Sequence, residues 1–212
     1  MPSTSTRQPI ISGNSPLVGP NNDSLGPRFP ATSDTYCEDL QQYVLECAKD
    51  LKLDKYMRRD ATYCFVSGPS YESRAECRFL RSIGGDSVGM STVPEIIAAK
   101  HVGMKIVCLS MITNKVIIER RRDSIHASHE EVLASVKAAG ARVESLVKAF
   151  VNEKVIGPYI KKLPPCKAYK PSGDGSGKRS SKAFFSDVHI PTVLAAGLLT
   201  LGIIFVREQA TR

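Results

Sequence analysis

Apolar positions change period several times along the middle of this chain, and the changes predict a succession of elements. Tyr36, Leu40, Tyr43, Val44 and Cys47 fall near helical spacing, which predicts a helix within 34–56 that Asp34 could cap. Thr62-Tyr63-Cys64-Phe65-Val66 is a short β-branched and aromatic run that stops at Gly68-Pro69, as a buried strand would. Helical spacing returns over 73–83, with Ala75, Phe79, Leu80 and Ile83 expected inward. Ser87-Val88-Gly89-Met90 predicts a second short strand, and Pro94 opens a helix over 94–102. Lys105-Ile106-Val107-Cys108-Leu109-Ser110-Met111 predicts a third strand. A long helix follows, with Ser128 and Glu131 in capping-box spacing and Val132, Val136, Val143, Val147, Phe150 and Val151 as one apolar stripe.

Strand, helix, strand, helix, strand with short links argues an α/β fold, a mostly parallel (mixed) sheet flanked by helices. In such sheets the ligand crevice lies outside the carboxyl ends of the strands. The two ends of the chain read differently. Residues 1–33 are rich in Ser, Pro, Asn and Gly and are expected to be extended loop, leaving 34–153 as the folded body. Residues 154–188 hold several prolines and the run GDGSGKRSSK and read as a linker. That run lacks the glycine spacing of a phosphate loop, since Gly177-Lys178 is followed by Arg179 and no glycine stands five residues before Gly177. Segment 189–206 contains 17 consecutive uncharged residues from Ile190 to Val206. As a helix they would extend about 25 Å, near the lower limit for crossing a bilayer. This predicts a membrane-spanning helix with a short tail, 207–212, and a cytoplasmic body anchored to an intracellular membrane. A buried C-terminal helix is the alternative.

Charge narrows the function classes. The net charge is +8, but residues 154–182 carry eight basic residues against Asp174 alone, so a net +7 belongs to that stretch. The body is nearly neutral, which argues against nucleic acid as a partner. The six cysteines show no C-x-x-C pair, and Cys64 and Cys108 sit in apolar runs as buried free thiols do. His101, His126, His129 and His189 have no convincing pairing with cysteines or carboxylates, so no metal site is expected.

The candidate chemistry gathers where the predicted strands end. Tyr71-Glu72 follows the first, Gly89-Met90-Ser91-Thr92 the second and Thr113-Asn114 the third, and His129 opens the long helix. Singly, each has an ordinary reading: a first-turn acid for Glu72, an N-cap for Ser91 or Thr92, a turn residue for Asn114, a solvent-facing first-turn residue for His129. Together they suit a flat heterocycle. A carboxylate only accepts hydrogen bonds, an amide donates and accepts, an aromatic ring stacks, and a hydroxyl at a helix start can hold an anion.

GPSYESRAECRFLRSIGGDSVGMSTVPEIIAAKHVGMKIVCLSMITNKV (68–116) resembles the trimeric, 6-oxopurine type of purine nucleoside phosphorylase, as do NSPLVGPNNDSLGPRFPATSDTY (14–36) and HEEVLASVK (129–137). The resemblance implies phosphorolysis of purine ribo- and deoxyribonucleosides such as inosine and guanosine to free base and pentose 1-phosphate. It implies no cofactor, with inorganic phosphate as co-substrate. By the family pattern Glu72 binds the N1 side of the purine and Asn114 binds O6 and N7. Tyr71 packs on the base, Thr113 lines the base pocket, Met90 contacts ribose, Ser91 phosphate, and His129 the 5′-hydroxyl, with His126 as the rival. Phe29 would reach a neighbouring subunit's ribose, so a homotrimer is implied. The related methylthioadenosine phosphorylases carry aspartate where Asn114 stands, so the amide favours 6-oxopurines. Relatives have a longer N-terminal half holding a glycine-rich phosphate loop that this chain lacks. The chain is therefore expected to be truncated at its N-terminus and feeble by itself. A non-catalytic, membrane-anchored relic that binds purine or a full-length partner is the second reading.

Overall fold

Val107 and Leu109 point to one side of their strand and Ile106 and Cys108 to the other, and both sides are covered. This alternation explains why Lys105–Met111 reads as an unbroken apolar run: a strand buried on both faces has no polar side to display. The computed structural model describes residues 2–7, 15–119, 129–152, 156–157 and 203–206. In chain order the elements are β1 (Pro2–Arg7), α1 (Glu38–Asp50), a 3₁₀ turn (Asp54–Tyr56), β2 (Arg58–Phe65), α2 (Arg74–Ser82), β3 (Ser87–Gly89), α3 (Val93–His101), β4 (Lys105–Met111), α4 (His129–Phe150) and β5 (Ile203–Val206).

On one face of the sheet α1 presents Leu40, Tyr43, Val44, Cys47 and Ala48 to Val107 and Leu109 of β4 and to Leu146 and Phe150 of α4. The Tyr43 and Phe150 rings meet with centroids 5.4 Å apart. On the other face α3 turns Val93 and Ile97 toward Tyr63 and Phe65 of β2, and Ile96 and Ala99 toward Ile106 and Cys108 of β4. One helix thus packs across two strands, β2 and β4, that do not pair with each other.

The strand order is β3-β2-β1-β4-β5. β2 runs parallel to β1 and β3, whereas β4 is antiparallel to both β1 and β5. The sheet is mixed, and its antiparallel pairs all involve the two strands that the apolar pattern does not predict. Part of the segment expected to be extended loop, 1–33, is strand β1. Its Ser- and Thr-rich sequence has no apolar face, yet the gap between β2 and β4 offers two rows of backbone groups that any extended segment can satisfy. Register shifts between Ser3 and Ser5 and between Ser5 and Arg7 mark this as irregular pairing.

The membrane-spanning helix expected over 189–206 needs correction at its end. Ile203–Val206 is a strand paired to β4, from Lys105 opposite Val206 to Cys108 opposite Ile203. Two isoleucines, Phe205 and Val206 favour a pleated strand, and the open edge of β4 supplies its partner. Residues 189–202, most of that expected span, lie outside the described residues, as do His126, Ser128, His189 and all of the expected linker except 156–157. Among the described residues no helix is long and apolar enough to cross a membrane.

Two smaller expectations also change. α1 begins after Cys37, not at Asp34, whose carbonyl instead accepts from Lys100 Nζ at 2.6 Å. In α2 the buried residues are Cys77 and Leu80, while Ala75, Phe79 and Ile83 are exposed.

Candidate active site

The loop after β2 and the turn after β3 are held against each other. Val66 N–H donates to the Gly89 carbonyl at 3.0 Å, extending the β2–β3 pairing by one step. Gly68 has φ +66, and a Cβ there would come within 2.5 Å of Met90 Sδ. Only glycine combines that backbone with that approach. The contact brings the segment leading to Tyr71 and Glu72 onto Met90, the residue before Ser91.

Glu72 takes no part in capping α2, because the helix start is served by others. Ser73 is the N-cap of α2, with its Oγ accepting from Glu76 N–H at 3.3 Å while Glu76 Oε2 accepts from Ser73 N–H at 2.7 Å. This reciprocal pair is a capping box. The Ser73 bonds hold the Glu76 carboxyl below its usual range. Glu72, one residue earlier, is half-buried and outside that arrangement, and Tyr71 beside it is exposed.

The β3–α3 turn is strained. Thr92 adopts φ 82 and ψ −55, rare for a β-branched residue, and is 1% exposed. It stands at the N-cap of α3 without a side-chain cap bond, and its Oγ1 lies 3.2 Å from Ser91 Oγ. Ser91 is half-buried and Met90 partly exposed, so the turn presents both to the surface of the crevice.

Thr113 and Asn114 follow β4, half-buried. Thr113 Oγ1 donates to Asn114 Oδ1 at 2.8 Å, which engages the amide oxygen and leaves the N–H groups as the donors of that side chain. Two further bonds fix this turn. Ser135 Oγ of α4 donates to the Thr113 carbonyl at 2.7 Å, and Arg78 of α2 donates to the Ile118 carbonyl at 3.0 Å. The second bond carries the chain beyond Asn114 across to the helix that Glu72 precedes. Among the described residues no direct hydrogen bond joins Glu72 to Asn114 or Ser91.

His129 is the first residue of α4. Phe29 is 86% exposed with the Arg28 guanidinium 5.7 Å from its ring centroid, and no aromatic contact among the described residues joins it to the others. No cluster of three metal-ligating side chains occurs among the described residues. Arg78 and Ser135 are supports that sequence reasoning missed. Ser135 was visible only as a polar residue beside Val136 of the apolar stripe.

The family model for the phosphorylase superfamily matches residues 6–152. The chain belongs to the phosphorylase superfamily. Within that superfamily the chain is 41% identical to the purine nucleoside phosphorylase of Saccharomyces cerevisiae over 155 residues, 68% of this chain and 50% of that protein. It is 44% identical to the Bos taurus purine nucleoside phosphorylase over 139 residues, 66% of this chain and 47% of that one. A crystal structure of the Schistosoma purine nucleoside phosphorylase with hypoxanthine superposes with a TM-score of 0.67 at 32% identity, covering 77% of this chain and 55% of that one. The chain thus spans about half the length of the curated relatives it matches. The superfamily match includes every candidate site residue, from Phe29 to His129, and ends close to the end of α4.

Proposed function

We propose that this chain carries the base-binding side of a purine nucleoside phosphorylase, and that the protein cleaves inosine and guanosine, and their deoxyribose counterparts, with phosphate as co-substrate. The observation that carries this reading is the Arg78–Ile118 bond, which ties the Asn114 segment to the helix that Glu72 precedes. An amide with N–H groups to donate and an acceptor-only carboxylate in that region complement a 6-oxopurine. Its O6 and N7 accept, and its N1–H donates. The identity to proteins named purine nucleoside phosphorylase supports the same substrate class.

In the reaction an oxygen of phosphate attacks C1′ of the sugar as the N9–C1′ bond opens. The electron pair of that bond passes into the purine, and negative charge grows at N7 and O6. Asn114 donates hydrogen bonds there, and donors already fixed in place stabilise such charge most effectively. Glu72 holds N1–H. Tyr71 packs on the base and Met90 on the ribose, Ser91 donates to phosphate, and His129 holds the 5′-hydroxyl. Thr113 keeps the Asn114 amide turned. Phe29, so exposed in one chain, would complete a neighbouring copy's ribose pocket in a homotrimer.

Calorimetric titration of the chain with hypoxanthine tests the reading. Saturable binding is expected, weakened roughly 10- to 100-fold by Asn114→Ala as hydrogen bonds to the base are lost. Absence of saturable binding by the unaltered chain, or indifference to Asn114→Ala, contradicts it.

A further inference from the structure

Tyr63 lies beneath the Ser91 turn with its hydroxyl unused. The residue sits on β2 and is 1% exposed, and its hydroxyl is buried without an aligned hydrogen bond. A buried polar group left in this way is costly and calls for an explanation. The phenol reaches its place over Gly89, where any Cβ would collide with the hydroxyl and come within 3.1 Å of Cζ. Glycine at 89 is therefore what lets the ring pass under the β3–α3 turn. Beyond it, two and three residues on, stand Ser91 and Thr92, whose influence on the phenol opposes the upward push that burial gives its acidity.

The Tyr63 hydroxyl thus lies against Gly89, directly before the turn on which Ser91 Oγ and Thr92 Oγ1 stand 3.2 Å apart. Each hydroxyl has one proton to give and can accept two. Thr92 is held there by an uncommon backbone conformation and does not use its side chain to cap α3.

We propose that Tyr63 is a positioning residue for the Ser91 anion subsite. Its O–H donates into the Ser91–Thr92 pair, so that the Ser91 proton turns outward to an anionic oxygen of phosphate. No proton changes owner; the phenol sets which way the serine donates. This rests on the proposed reading in which Ser91 contacts phosphate. Its own content is that the subsite has a buried hydroxyl behind it.

The test is calorimetric titration of the full chain with inorganic phosphate, and separately with hypoxanthine, for the unaltered protein, Tyr63→Phe, Ser91→Ala and the double variant. Tyr63→Phe keeps the ring and removes only the hydroxyl. It is expected to weaken phosphate binding about tenfold, with hypoxanthine affinity and melting temperature unchanged. In the Ser91→Ala background it is expected to cost nothing further, since Tyr63 acts through Ser91. Thr92→Val, which removes another hydroxyl of the group while keeping the β-branch, is expected to weaken phosphate as well and serves if Tyr63→Phe melts early. Unchanged phosphate affinity in Tyr63→Phe, or an equal loss with and without Ser91, overturns the proposal. If the unaltered chain binds hypoxanthine but no phosphate, the Tyr63 role falls and the purine reading stands. If it binds neither, both fall.

Discussion

Glu72 and Glu76 are four residues apart and have different tasks. Sequence alone leaves Glu72 two readings, a first-turn acid or a ligand acceptor. The capping box between Ser73 and Glu76 fills the first role with another residue. Asn114 is similar: its turn position was legible, but the direction of its amide depends on Thr113, which no spacing rule reveals. Tyr63 was readable only as core, because its role depends on what lies over Gly89. The cysteines were legible as buried thiols from their apolar neighbours. Burial pushes the Cys108 thiol up to about 12, and those of Cys47, Cys64 and Cys77 also rise. Brief treatment of the native protein with iodoacetamide at neutral pH, followed by peptide mass spectrometry, is expected to label half-buried Cys37 ahead of these four. Labelling of Cys108 at the rate of Cys37 would contradict the packing.

At the scale of elements, helices and internal strands follow from the apolar pattern because each buries a face that the sequence marks. β4 lies where the pattern predicts, over 105–111, since an apolar run between Gly103 and the polar Thr113-Asn114 turn has clear ends. β1 and β5 were not legible as strands. Both are defined by the open backbone rows of β2 and β4, and the sequence of an added strand need not advertise its partner. The start of α2 matters to the site, because it fixes where Glu72 leaves the helix. Ser73→Ala is expected to destabilise the protein by about 1 kcal/mol at neutral pH. The Glu76 carboxyl is held below its usual range by its Ser73 bonds, so the carboxylate's part of the capping box is present above the ordinary carboxylate pKa and fades as the pH falls through the lowered one, while the bond from Glu76 N–H to Ser73 Oγ does not titrate. Melting curves of both proteins at neutral and strongly acidic pH check it. A difference that shrinks in acid is expected, and one that persists unchanged would show that the Glu76 carboxylate adds nothing to the cap.

Over the whole molecule, the buried thiols and Tyr63 act together on stability at high pH. Their folded pKa values are raised, so the contribution is complete below the unfolded values, roughly 8.5 for a thiol, and is lost as the pH rises. From Cys108 alone the loss by pH 10 is about 2 kcal/mol, because the unfolded chain releases a proton that the folded one keeps. The melting temperature is expected to fall between pH 8 and pH 10, and less steeply in Cys108→Val. Equal slopes would place Cys108 in contact with solvent. The fold class was readable from the sequence because the strands and helices that make it follow one another with short links and clear apolar runs. How a stretch covering half of its relatives closes its sheet was not, since the gap between β2 and β4 is filled by a segment with no apolar signal. The central claim is that Glu72 and Asn114 present an acceptor and a donor to a 6-oxopurine. Parallel titrations of the chain with hypoxanthine and with adenine test it most directly. The account predicts saturable binding of hypoxanthine at least tenfold tighter than adenine, whose amino group would face the Asn114 donors. Equal affinity for the two bases, or a preference for adenine, would contradict it.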